Sequence, residues 1–117
     1  MTAKRYVVLE HHWDGIHYDF MLESGNILRT WKLAEPPRHA QSQIAAASFD
    51  HRLHYLTYEG PISENRGHVV RWDAGTYQEE MVEPKLLRVQ LEGNRLRGSV
   101  ELRLLEGENW ALLYREA

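Results

Sequence analysis

Three imidazoles and three carboxylates fall within ten residues near the start of this chain, in the run Glu10-His11-His12-Trp13-Asp14-Gly15-Ile16-His17-Tyr18-Asp19. Neutral imidazole and carboxylate are suitable ligands for Mn²⁺, Zn²⁺ or Fe²⁺. His17 and Asp19 have the i, i+2 spacing that puts both side chains on one face of a β-strand. A third ligand from His11 or His12 would complete the protein's share of an open metal site. The same pattern also describes a surface strand with a local ion pair, because a His-x-Asp pair recurs in strands that hold no metal. A distant His51 or His68 beside His17 and Asp19 would instead give the two-histidine, one-carboxylate triad of a small iron(II) oxygenase barrel.

Composition narrows these options. The chain has no cysteine, which removes disulfides, thiolate metal sites and cysteine nucleophiles together, so any metal must be held by nitrogen and oxygen. All seven histidines lie between His11 and His68. A length of 117 residues predicts one domain over 1–117 rather than a two-domain enzyme. No run approaches the roughly 20 apolar residues of a membrane span, and Met1 to Tyr6 is short and polar for a secretory signal, so a cytoplasmic address and no membrane partner are expected. The formal net charge of -3 argues against a generic nucleic-acid coat, which needs a basic surplus. Residues 1–58 are nonetheless balanced, with six basic and six acidic side chains, which leaves room for a local basic cleft.

Positioning these groups falls to short alternating runs punctuated by Gly and Pro, the pattern of an all-β domain. From Ile16 to Glu23, Ile16, Tyr18, Phe20 and Leu22 face one way and His17, Asp19, Met21 and Glu23 the other. Ser24-Gly25-Asn26 then turns the chain into Ile27 to Leu33, a hairpin. Gln41 to Phe49 carries three alanines but reads mostly as strand. His51 to Tyr58 has strand character, with His51, Leu53 and Tyr55 on one face. Asp73-Ala74-Gly75 reads as a turn between His68 to Trp72 and Thr76 to Val82. A meander follows, turning at Gly93-Asn94 and at Gly107-Glu108-Asn109. The expected fold is a small closed or partly closed β-barrel of about eight short antiparallel strands. Trp31, Trp72 and Trp110 read as core or barrel-wall residues, while Trp13, beside the histidines, is placed to stack on an unpaired base.

Several blocks in order resemble the 3'-phosphoesterase domain of bacterial DNA ligase D. They are Tyr6-Val7-Val8, His11, Ile16 to Phe20 with Leu22-Glu23, Leu28 to Trp31, Asp50-His51 with Leu53 and Tyr55, Tyr58-Glu59-Gly60, Trp72-Asp73, Gly75-Thr76-Tyr77, Leu96-Arg97-Gly98, and Trp110 to Leu113. The resemblance implies a compact β-barrel that heals DNA 3' ends during end joining. It would use a divalent metal, typically Mn²⁺, to remove a terminal ribonucleoside and then a 3'-phosphate. By position, His11, His17 and Asp19 match the family's metal ligands, and His51 and Tyr55 match its active-site histidine and tyrosine near the phosphate. The expected partners are nucleic-acid 3' ends, with a separate ligase or polymerase acting in trans.

Three departures from the family pattern delete positive charge. Met21 and Gln43 stand where the resemblance places arginines, and Glu35 stands where it places a lysine. Arg29, Lys32, Arg38, Arg52, Arg66 and Arg71 are the cations that remain to replace them. The loop Ser63 to Gly67 is also shorter than the family's Gly-rich version, and Leu9 stands where a polar residue is usual. Two main readings follow: a metal-dependent phosphoesterase acting on 3' ends, and a catalytically weakened module of the same fold that binds nucleic-acid ends or metal.

Overall fold

Along β1 (Lys4–His12) the apolar residues alternate between two faces and are buried on both. Tyr6 and Val8 join one hydrophobic cluster, and Val7 and Leu9 join another. The division continues through β2 (Ile16–Ser24), where Phe20 and Leu22 belong to the first cluster and Met21 to the second. A sheet buried on both faces needs two coverings.

The first covering is the sheet itself. A computed structural model, describing residues 3–117, continues with β3 (Ile27–Leu33), β4 (Ser42–Arg52), β5 (Gly60–Pro61), β6 (His68–Glu83), β7 (Leu86–Gly93), β8 (Arg97–Glu106) and β9 (Asn109–Glu116). The strands run in the order β1-β2-β3-β4-β9-β8-β7-β6-β5, and β1 pairs again with β6. Eight antiparallel strands therefore close into a barrel, with two-residue β5 added on the outside of the ring, and closure removes the open edges. The all-β barrel expected from the alternation is what the chain forms.

Every barrel strand contributes to the interior. Tyr6, Phe20, Trp31, Trp110 and Tyr114 fill it with the leucines and valines of β7 and β8, each such side chain contributing about 1.5–3 kcal/mol by its burial. Trp31 meets Trp110 edge-on, with ring centroids 5.8 Å apart. Trp31 and Trp110 are thus core, as expected, while Trp72 is only half-buried against it. A filled interior leaves no room for chemistry inside, so any site must lie on the outer wall.

The second covering corrects the expected strand over His51 to Tyr58. The chain leaves β4 at Arg52 and tightens into a 3-10 turn, Leu53–Leu56. Leu56 is buried against Val7, Leu9, Met21 and Leu28, with Leu53, Tyr55, Tyr58 and Ile62 packed alongside. Val7, Leu9 and Met21 on the outer face of β1 and β2 are apolar and need this cover.

The turn expected at Asp73-Ala74-Gly75 is likewise absent, because β6 runs unbroken from His68 to Glu83. Val8 pairs with Asp73 but Leu9 with Arg71, so Trp72 is the extra residue of a β-bulge that bends the strand. Asp73 is buried and accepts hydrogen bonds from the Tyr6 hydroxyl at 2.6 Å and from the backbone N–H groups of Asn94, Arg95 and Leu96. Its turn-forming chemistry serves the β7–β8 hairpin rather than its own position. Burial and this carboxylate hold the Tyr6 phenol well above its ordinary range. Gly93 passes so close that a Cβ there would lie 1.8 Å from the Tyr6 hydroxyl oxygen.

Candidate metal centre on the outer wall

His11 and His17 are direct partners in the β1–β2 register, and Asp19 lies opposite Leu9 on β1 and Lys32 on β3. Asp14 and Gly15 both have positive φ, 52° and 98°, and close the hairpin that sets this register. The three side chains share the outer face. His11 Nδ1 lies 3.2 Å from His17 Nε2, His17 Nε2 lies 3.3 Å from Asp19 Oδ1, and His11 Nδ1 lies 3.9 Å from Asp19 Oδ2. All three offered atoms fall within 4.8 Å of one another, the one such group among the described residues.

The surroundings fix how His11 is used. Its Nε2 lies 2.8 Å from the Arg66 carbonyl oxygen. A carbonyl only accepts, so Nε2 carries the hydrogen and Nδ1 turns its lone pair towards His17 and Asp19. The Arg66 carbonyl is itself held in place by the next residue. Gly67 has φ +75°, and a Cβ there would sit 1.7 Å from the His12 carbonyl oxygen, so only glycine lets the loop lie against β1. His12, the rival to His11, points elsewhere: its Nε2 is 2.5 Å from Glu10 Oε1 and its ring stacks on His68. Asp19 is buried, and a buried carboxylate needs compensating charge. Two imidazole nitrogens and this oxygen make a donor set that fits a divalent transition metal. His51 and His68 are not in the group, so the oxygenase triad built on either of them does not form.

His51 reaches the same face through an irregularity. Leu28 pairs with His51 while Thr30 pairs with Ser48, so β4 carries one extra residue. Plain alternation from Ser48 would turn His51 away from the site, and the bulge turns it back. His51 Nδ1 donates to the Phe49 carbonyl at 3.0 Å and to the Thr30 hydroxyl oxygen at 3.0 Å. Thr30 passes its own hydrogen to the Leu28 carbonyl at 3.1 Å. With Nδ1 committed, Nε2 is the ring atom left to exchange protons. Burial lowers the His51 pKa below its ordinary 6.5, with the Asp19 charge pulling the other way. The Tyr55 ring meets His51 edge-on, centroids 5.6 Å apart, because the 3-10 turn carries it back over the strand end. The pair expected from strand periodicity meets through a turn instead.

A cavity of about 290 Å³ joins all five residues: His11, His17, Asp19, His51 and Tyr55 line it together. Leu9, Met21, Ile62 and Val69 make its apolar part, and Lys32, Arg52 and Arg66 are its cations. Arg66 is engaged with Ser63, donating to the carbonyl at 3.0 Å. Arg29 lies over the Trp31 ring and Arg71 donates to the Leu56 carbonyl, both away from the cavity. Met21 is buried. Gln43 donates to the Glu35 carbonyl at 2.9 Å and accepts from the Glu35 N–H, so these two residues satisfy each other outside the cavity. Sequence reasoning missed Thr30 and Phe49, whose contacts depend on a bulge that no local composition announces.

The geometry defines a class: a closed antiparallel barrel, packed solid inside, with a nitrogen-and-oxygen donor site in a cavity of its outer wall. Residues 9–103 match the model of the DNA Ligase D 3'-phosphoesterase domain, and the chain belongs to that family. It is 34% identical over 114 residues to the multifunctional non-homologous end joining DNA repair protein LigD of Mycobacterium tuberculosis, covering 90% of this chain and 15% of that protein. To the multifunctional non-homologous end joining protein LigD of Mycolicibacterium smegmatis it is 30% identical, covering 91% of this chain and 16% of the relative. The corresponding Pseudomonas aeruginosa protein is 33% identical over 80% of this chain and 12% of its own length. The chain thus spans about one sixth or less of the curated relatives it matches. Among the described residues no helix is long and apolar enough to cross a membrane.

Proposed function

We propose that this chain is a metal-dependent 3'-phosphoesterase that removes a 3'-ribonucleoside or 3'-phosphate from nucleic-acid ends in bacterial DNA end repair. The carrying observation is the convergence of His11, His17, Asp19, His51 and Tyr55 on one cavity in a member of this family. His11 through Nδ1, His17 through Nε2 and Asp19 through a carboxylate oxygen would hold the ion, most simply Mn²⁺, with Zn²⁺ also compatible with the donors. When bound there, such an ion would neutralise charge on the non-bridging phosphate oxygens and lower the pKa of a water.

The remaining steps belong to the protein. His51 Nε2, which carries the lone pair while Nδ1–H is held by the Phe49 carbonyl and Thr30, takes a proton from the attacking water and passes it to the leaving oxygen. Tyr55 donates a hydrogen bond to the same phosphate. Lys32, on the same face as Asp19 and inside the cavity, is placed to meet the phosphate charge in place of the family's basic residues. A ligase or polymerase in trans and a cytoplasmic setting accord with end repair.

A 3'-phosphorylated primer incubated with purified protein and Mn²⁺ should release phosphate. Full activity in His17→Ala would sink the mechanism. A binding module without turnover is the second reading, favoured by one observation: none of Met21, Glu35 and Gln43 brings charge to the cavity. It predicts metal-dependent end binding with no hydrolysis, and activity that is lost in His51→Ala excludes it.

A further inference from the structure

Two large aromatic side chains are exposed at this cavity, Trp13 at 48% and Phe49 at 72%, and both line it. Each lies nearly parallel to a site histidine. Trp13 stacks on His11 with centroids 6.0 Å apart at 25°, and Phe49 stacks on His51 at 4.7 Å and 13°. Exposed rings of this size lose solvation free energy unless something covers them. A flat partner suits both rings, because each already pairs with an imidazole plane and keeps much of its surface exposed. The two positions come from different elements: Trp13 backs the proposed metal ligand in the β1–β2 turn, and Phe49 backs the proposed proton carrier at the β4 bulge.

We infer that Trp13 and Phe49 form a nucleobase-stacking bracket that recognises the bases of the terminal nucleotides at the 3' end. The inference rests on the phosphoesterase reading and adds its substrate class. Base-aromatic stacking needs a free π-face, which the terminal base of a strand offers and an abasic terminus lacks. It also explains how a cavity short of phosphate-binding charge would hold a nucleic-acid end, since stacking replaces part of what basic residues would supply.

The test compares 3'-phosphorylated single-stranded oligonucleotides whose terminal residue either carries its base or is abasic, with Mn²⁺, by phosphate release and by fluorescence anisotropy. The wild type should favour the base-bearing end by about tenfold or more in kcat/KM and in affinity. That ratio should fall towards one in Trp13→Ala and Phe49→Ala, and return in Trp13→Phe and Phe49→Tyr, which keep a ring. A wild-type ratio near one, or a ratio unchanged in both alanine variants, overturns the bracket. Base-selective binding that responds to these variants without any phosphate release overturns the phosphoesterase reading and leaves the bracket standing.

Discussion

His11 Nδ1 and His17 Nε2 face each other at 3.2 Å across the β1–β2 pair, with the buried Asp19 carboxylate on the same side. Two lone-pair nitrogens and an anion at such distances repel unless a proton or a cation lies among them. On the proposed function, a divalent ion held by these three atoms would supply that charge. Mn²⁺ should therefore stabilise the folded chain, by about 2.7 kcal/mol at a concentration a hundred times the dissociation constant. Asp19→Asn should abolish the gain while leaving a folded barrel, read as thermal midpoints with and without metal.

The loop that orients His11 is as necessary as His11. Gly67→Ala forces a Cβ against the His12 carbonyl at a positive φ and must displace the Arg66 carbonyl that fixes the imidazole tautomer. Removing an outer partner of this kind typically weakens metal affinity about 10–100-fold. Calorimetric Mn²⁺ titration should show that loss in Gly67→Ala, together with a lowered thermal midpoint. Unchanged affinity would mean that the Arg66 contact does not orient His11.

Much of the fold was legible because alternation is a local signal. Ile16 to Glu23 declares both faces of β2, and the meander after Leu87 follows its Gly-Asn turns into β8 and β9. That His17 and Asp19 share a face was legible for the same reason, and the choice of His11 beside them came with the family resemblance. What failed was whatever depends on packing from a distance. Leu53 to Leu56 alternates well enough to read as strand, but the apolar outer face of β1 draws it into a 3-10 turn. Asp73-Ala74-Gly75 has turn composition, yet Asp73 accepts from the Tyr6 hydroxyl and from the N–H groups of Asn94 to Leu96, far along the chain. The bulge that turns His51 to the cavity leaves no mark in composition at all.

Burial depresses the His51 pKa in the folded state, so the unfolded chain binds the proton more readily. Stability attributable to this residue must rise with pH from below the folded pKa up to about 6.5, the unfolded value, and level off above it. Denaturation midpoints in urea, measured in the presence of a chelator across that window, should rise with a steeper slope in the wild type than in His51→Gln. The same slope in both proteins would show that burial does not keep His51 neutral.

Charge decides the last question, because on the proposed function the cavity meets a phosphate without the basic residues that the family resemblance places there. Lys32 has the position for it: it is the β3 partner of Asp19, it lines the cavity, and its side chain is exposed rather than tied into the wall. Arg66, by contrast, is engaged with Ser63. A charge-assisted contact of this kind is worth about 1.5–3 kcal/mol. Lys32→Ala should therefore raise KM for a 3'-phosphorylated oligonucleotide about tenfold or more, and reduce the salt dependence of binding by about one phosphate contact. Met21→Arg, which restores the family's charge at a neighbouring cavity position, should recover part of the loss in the Lys32→Ala background if the arginine reaches the phosphate. A Lys32→Ala protein with unchanged KM and unchanged salt slope would remove Lys32 from the site and leave Arg52 as the remaining cation lining the cavity that could take the role.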